Sequence, residues 1–115
     1  MTDEALIPVP SGQPISFLEV VTDRPGQGLV YRFRFVAPEI AREKGQADFE
    51  MIGRDMEFLC ATYALPRIAS VGPVPNQVII SLSDRPTVFA EADTEATQFF
   101  EAYSIDGDAC IWEPF

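Results

Sequence analysis

Two cysteines, Cys60 and Cys110, two arginines a residue apart, Arg32 and Arg34, and a surplus of carboxylates are the residues of this 115-residue sequence whose types and spacing bear on chemistry. Histidine is absent. Its absence removes the commonest general base, the commonest metal ligand and every Ser-His or Cys-His nucleophile pair. The cysteines stand 50 positions apart, so they form no CxxC pair and cannot by themselves make a four-ligand zinc site. They can pair with each other in a compartment where disulfides persist. A reactive thiol is not expected, because neither cysteine has a predicted helix N-terminus or a cation beside it.

Hydrolysis by paired carboxylates needs two acids roughly 5 to 9 Å apart in a cleft, and among 18 acids no pair stands out. Asp106-Gly107-Asp108 with Glu113 loosely resembles a calcium loop, but the D-x-[DN]-x-[DN]-G spacing and its distant Glu are missing, so these read as turn residues. There is no G-x-S-x-G, no G-x-x-x-x-G-K and no G-x-G-x-x-G. Lys44 is the single lysine, which leaves little room for Schiff-base chemistry. Catalytic, cofactor-binding and metal-ligating residues are therefore expected to number none. Arg32 and Arg34, with Arg24 and Arg85 in two Asp-Arg-Pro turns, offer an anion or carboxylate site, against the plainer reading of solvated arginines.

Eight basic against 18 acidic residues give a formal charge of −10, which repels a phosphate backbone and argues against nucleic acid. The imbalance is concentrated: residues 1–67 carry ten acids and seven bases, residues 68–115 eight acids and Arg85 alone. Such a surface serves solubility or docks a basic partner. No apolar run is long enough to span a membrane. The opening MTDEALIPVPSGQP lacks a basic n-region and an apolar h-region, so it reads as carrying no export signal, with Met1 either a native start or one added after a leader was removed.

The elements that must position these groups are set by periodicity. Residues 1–14, with three prolines, read as a flexible arm, and residues 15–115 as one α+β domain. A first strand over 15–22, turn chemistry in DRPGQG and a second strand over 29–37 form a hairpin. Leu29, Tyr31, Phe33 and Phe35 face the core, while Val30, Arg32, Arg34 and Val36 face out, with Glu19 across from Arg32 or Arg34. An amphipathic helix over 48–63 carries Phe49, Ile52, Met56, Leu59, Cys60 and Tyr63 on one stripe, and Leu65-Pro66 should end it. Met51 and Phe58 lie opposite that stripe, with Leu65 near the same azimuth if the helix ran on. This second seam awaits cover by the arm, the 64–76 loop or a partner. An irregular crossover leads to a central strand over 77–83, a short extension at Val88-Phe89, an ambiguous turn over 94–98, and a hairpin around Asp106-Gly107 that pairs Tyr103 with Cys110. In that register Phe99, Tyr103, Ile105, Cys110 and Trp112 share a face. The expected fold is α+β: a mainly antiparallel sheet of about five strands with one helix on a face, in the order β-β-α-β-β-β.

Cys60 on the helix and Cys110 on the last strand then face one core. A disulfide between them is expected, with two buried free thiols as the alternative.

The segments VPSGQPISFLEV, LVYRFRFVAPEIA, LCATYALPRIA, QVIISLSDRP and ATQFFEAYSIDGDACIWEPF together resemble a small uncharacterised bacterial family, a domain of unknown function whose members are sometimes labelled acetolactate synthase. The resemblance covers nearly all of residues 9–115. It implies short single-domain proteins, often made with an export leader and with cysteines at positions like Cys60 and Cys110, and it carries over no functional residues. The acetolactate synthase label fails on physical grounds, because a thiamine-diphosphate enzyme builds its cofactor site between large α/β domains. The DGD here also lacks the Asn run expected downstream, and the βαββαβ order of a small regulatory subunit differs from this one.

The functional expectation is a soluble, non-enzymatic, exported or periplasmic module that binds a protein or small ligand, as monomer or homodimer, with Met51, Phe58, Arg32 and Arg34 as its interaction surface. If no leader was removed, the expected location is cytoplasmic. The alternative is a small enzyme or ligand-binding protein with a pocket between helix and sheet. A deep pocket lined by Arg32, Arg34 or Tyr103 would favour that alternative, and a filled core beside a flat apolar patch would favour the module.

Overall fold

Strands β2 (Val30–Val36) and β3 (Gln77–Ser83) lie side by side in parallel, Val30 opposite Gln77 through Val36 opposite Ser83. Parallel neighbours cannot be joined by a hairpin and need a crossover, which here is helical. The structure, a computed structural model, describes residues 6–23, 28–41, 48–89, 91, 93 and 95–113. Strands β1 (Ser16–Asp23), β4 (Gln98–Asp106) and β5 (Ala109–Glu113) complete a five-stranded sheet in the order β1-β2-β3-β4-β5, antiparallel except between β2 and β3. The α+β class and the β-β-α-β-β-β order are those read from the sequence. Val88 and Phe89 form no strand. The turn at 24–27, with Arg24, the polar stretch 42–47 and Thr94 lie outside the described residues.

Alternation sends Tyr31, Phe33 and Phe35 of β2 and Val78, Ile80 and Leu82 of β3 to the helix side, where all six are buried. Phe17, Phe33 and Phe35 meet Tyr63 of the helix at ring distances of 5.2 to 6.5 Å, the tilted and edge-on arrangements that aromatic quadrupoles favour. The space between helix and sheet is filled by these side chains and by Tyr103, 1% exposed. Burial pushes the Tyr103 phenol above its ordinary pKa, and the charges of Glu101 and Glu57 add to the shift.

Helical structure starts at the N-cap Asp48, whose Oδ1 accepts from the N–H groups of Glu50 and Met51. It does not stop at Leu65-Pro66. Helix α1 (Phe49–Leu59) passes through a π-helical turn (Cys60–Ala64) into α2 (Leu65–Val71). The wider turn, with the Leu65 N–H reaching the Cys60 carbonyl, puts Pro66 in the first turn of a new helical segment, where its missing N–H and ring are tolerated. The added residue also rotates the helix beyond it. Leu65, expected on the Met51–Phe58 seam, is turned against the core instead. The irregular stretch shrinks to Gly72–Asn76, and Gly72 is required there because a Cβ would stand 2.8 Å from the buried Tyr31 Oη, which donates to the Pro73 carbonyl at 2.5 Å.

Phe49 departs from the expected stripe. As the first helical residue it is 72% exposed and meets the Phe99 ring edge-on at 5.5 Å. The last hairpin also differs in register. Gly107, at φ +64°, takes the first loop position, so the loop is Gly107-Asp108, Tyr103 faces Trp112, and Cys110 faces Ile105. The slip is two residues, which preserves the faces, where one would have inverted them. Cys110 therefore still points at the helix and is bonded to Cys60, with 6.2 Å between their Cα atoms.

Residues 6–14, read from the sequence as an arm, run along the domain. Leu6 bridges to Ser16, the Ile7 N–H donates to the Ile15 carbonyl at 2.8 Å, and Val9 is buried in the core. Asp55, fully buried on α1, accepts from the Ser11 N–H at 3.1 Å, the Ser11 hydroxyl at 2.5 Å and the Gln13 amide at 2.7 Å. A buried carboxylate is costly unless its oxygens are satisfied, and the arm supplies the donors.

Candidate functional site

On β2 the residues that alternate away from the helix are Val30, Arg32 and Arg34. Their cross-strand partners continue that face: Ile79 and Ser81 on β3, then Ala102 and Phe100 on β4. Val30, Ile79 and Ala102 form a second, small apolar cluster there. The segment after β3 folds over one end of this face. Its base is Asp84, whose N–H donates to the Thr97 carbonyl at 3.0 Å while its Oδ1 accepts the Thr97 N–H at 2.9 Å. Arg85 Nη2 donates to Asp84 Oδ2 at 2.9 Å. Burial raises the Asp84 pKa, but the Arg85 and Thr97 hydrogen bonds more than offset it and hold the carboxyl below its ordinary value.

That segment brings Thr87 and Phe89 to the two arginines. Arg34 is 5% exposed rather than solvated, and it donates to Glu19 and, through Nη2, to the Thr87 carbonyl at 3.0 Å and the Thr87 hydroxyl at 2.6 Å. Glu19 is its cross-strand partner, because a bulge between Phe17 and Glu19 sets that register. The Phe89 ring lies 5.7 Å from the Arg34 guanidinium and 5.4 Å from that of Arg32. Phe100 approaches Arg32 from a second side at 5.9 Å. Burial lowers the Arg32 pKa, Asp23 opposes that, and Arg34 adds to it, yet a guanidinium keeps its charge. Arg34 is thus held in place by Glu19 and Thr87. Arg32 is half-buried between two rings and makes no hydrogen bond among the described residues, so its donors are available to a carboxylate.

The four residues expected to form one interaction surface do not come together. Met51 and Phe58 are exposed, at 41% and 38%, on the helix side of the sheet, whereas Arg32 and Arg34 occupy the opposite face. Met51 lines a hollow of about 240 Å³ between the arm and α1, with Ser11, Gln13, Glu39 and Asp48 also on its wall. That hollow touches neither arginine nor Tyr103. Among the described residues no group of three or more Cys, Asp or Glu side chains is placed to hold a metal ion, and no helix is long and apolar enough to cross a membrane.

Sequence reasoning passed over three residues that organise the molecule. Asp55 was legible as an acid three residues after Ile52 and four before Leu59, inside the core stripe. Asp84 and Phe89 gave no signal of this role, since an Asp-Arg-Pro exit reads as turn chemistry and Phe89 read, with Val88, as a short strand extension.

Comparison with curated proteins and with solved structures returns no match for the chain. A family model does match, over residues 1–115, and its extent covers the arm, the arginine face and both bonded cysteines alike: the chain belongs to DUF6497, a family of unknown function.

Proposed function

We propose that this chain is an exported, non-enzymatic interaction module that binds another protein through the sheet face around Arg32. The observation that carries the reading is the contrast between the two sides of the sheet. The helix side is filled, by Tyr31, Phe33, Phe35 and Tyr103 among others. The other side presents Phe89 and Phe100 to solvent around a guanidinium with donors to spare, with Ile111 further out on the same face. An apolar patch with an arginine at its centre is the composition that protein interfaces favour. The partner's contribution is a carboxylate for Arg32 flanked by apolar side chains. The Cys60–Cys110 bond supports an extracytoplasmic setting, because cytosolic thiols are kept reduced.

The test is a photo-crosslinking amino acid placed at Phe100 in one variant and at Phe58 in another, each produced in the cells the protein comes from. A discrete adduct from position 100, reduced by Arg32→Ala and not formed from position 58, is the expected result. Adducts from position 58 alone, or from neither position, would overturn the reading.

A further inference from the structure

The two edges of the sheet are built differently. At β1 the bulge between Phe17 and Glu19 breaks the ladder, and the arm covers the start of the strand through the Leu6–Ser16 bridge and the Ile7–Ile15 hydrogen bond. Bulges and covering segments are devices that keep an edge from accepting another strand. At β5 neither is present among the described residues: the register from Asp106–Ala109 to Ala102–Glu113 runs without a shift, and no strand lies beyond. That edge also shows large apolar side chains on both faces, Ile111 at 45% and Trp112 at 54% exposure. It is held as well, since Cys110, in the middle of the strand, is bonded to the fully buried Cys60 of the helix. A fixed edge loses little entropy when a strand adds to it.

Charge says what kind of strand fits. Residues 98–113 contain Glu101, Asp106, Asp108 and Glu113 and no base. Antiparallel pairing of two β5 strands about Ile111 would set Glu113 of each copy opposite Ala109 of the other, one residue from Asp108, between chains that each carry −10. Like charges at that spacing disfavour a second copy, and the same acids attract lysine or arginine.

We propose that the outer edge of β5 receives an extended, basic segment of another protein as a sixth strand, bound through main-chain hydrogen bonds and flanked by Asp106, Asp108 and Glu113. This rests on the proposed interaction role and adds to the carboxylate that meets Arg32 a second, basic segment of the partner at the β5 edge. Ile111 and Trp112 supply apolar contacts on the two faces of the added strand, and the acids supply selectivity.

Trp112 is the only tryptophan and reports directly on that edge. The experiment titrates the oxidised full chain with a short synthetic peptide alternating lysine and valine and follows tryptophan emission. Three controls accompany it: a glutamate–valine peptide, a backbone N-methylated lysine–valine peptide, and the variant Ile111→Lys. The expected result is a saturable emission shift with the lysine peptide that weakens as salt is raised and is lost in all three controls. Equal response to the acidic or N-methylated peptide, or no response to the lysine peptide, would overturn the proposal. So would a concentration-dependent emission shift with no peptide present, which would assign the edge to a second copy. If the lysine peptide fails while the position-100 crosslink appears, the edge assignment falls and the interaction reading stands. If both fail, both fall.

Discussion

Cys60 opens the π-helical turn and is bonded to Cys110 on the edge strand, so the one irregular turn of the helix and the free edge of the sheet are fixed to each other. Among the described residues the strand β5 has only β4 as a lateral neighbour, and a short edge strand of five residues is the part of a sheet most prone to fray. The bond ties it to a side chain that is fully buried.

Removing the bond should therefore act first on β5. The double variant Cys60→Ala/Cys110→Ala is expected to lose about 2–4 kcal/mol of unfolding free energy, the usual effect of opening a long loop. Amide hydrogen exchange should accelerate in 109–113 more than in β3. Uniform acceleration across the sheet would contradict a local role.

Asp55 should hold the arm. Asp55→Ala leaves the Ser11 N–H and hydroxyl and the Gln13 amide without their acceptor, a loss of about 1–3 kcal/mol. Limited proteolysis is expected to cut within residues 6–14 of the variant before it cuts elsewhere. An uncleaved arm at full stability would show that Val9 and the β1 bridge suffice.

Acid stability should depend on Asp84. Its folded-state pKa is below the ordinary 3.8, so the unfolded chain binds the proton more readily. The carboxylate's stabilisation is complete above that value and is lost as pH falls through the folded pKa. Asp84→Asn is expected to lower stability at neutral pH and to flatten the decline below about pH 4. An unchanged acid limb would assign that limb to other carboxylates.

Gly72 and Tyr31 should be coupled. Gly72→Ala drives a methyl to 2.8 Å from an immobile phenol oxygen and is expected to cost about 1–3 kcal/mol. In Tyr31→Phe the clashing oxygen is gone, so adding Gly72→Ala should cost clearly less. Additive losses in the double variant would place the strain elsewhere.

Much of this architecture was readable from residue order, and the reasons are specific. Alternation over 29–36 and the β-branched run at 77–83 report a period of two, and a sheet buried on one face enforces it. The cysteine pairing came from two such face assignments. Three things were not readable. A π-helical turn has no periodic signature, so Pro66 looked like a stop. Asp106-Gly107 and Gly107-Asp108 are both acceptable two-residue loops, and the choice depends on which position must take positive φ. The arginine face was assigned to solvent because Thr87 and Phe89, which close over Arg34 and flank Arg32, lie over fifty residues further along the chain, with only Asp84's clamp to bring them back.

The proposed extracytoplasmic setting is tested most directly by the state of the cysteines in the cells the protein comes from. Cells are quenched in acid, free thiols are alkylated in denaturant, and the intact mass is measured before and after reductant. No alkylation until reductant is added is the predicted result, with the β5 edge closed onto the helix and partners to be sought outside the cytosol. Two alkylated thiols without reductant would contradict both the extracytoplasmic setting and the pre-formed edge.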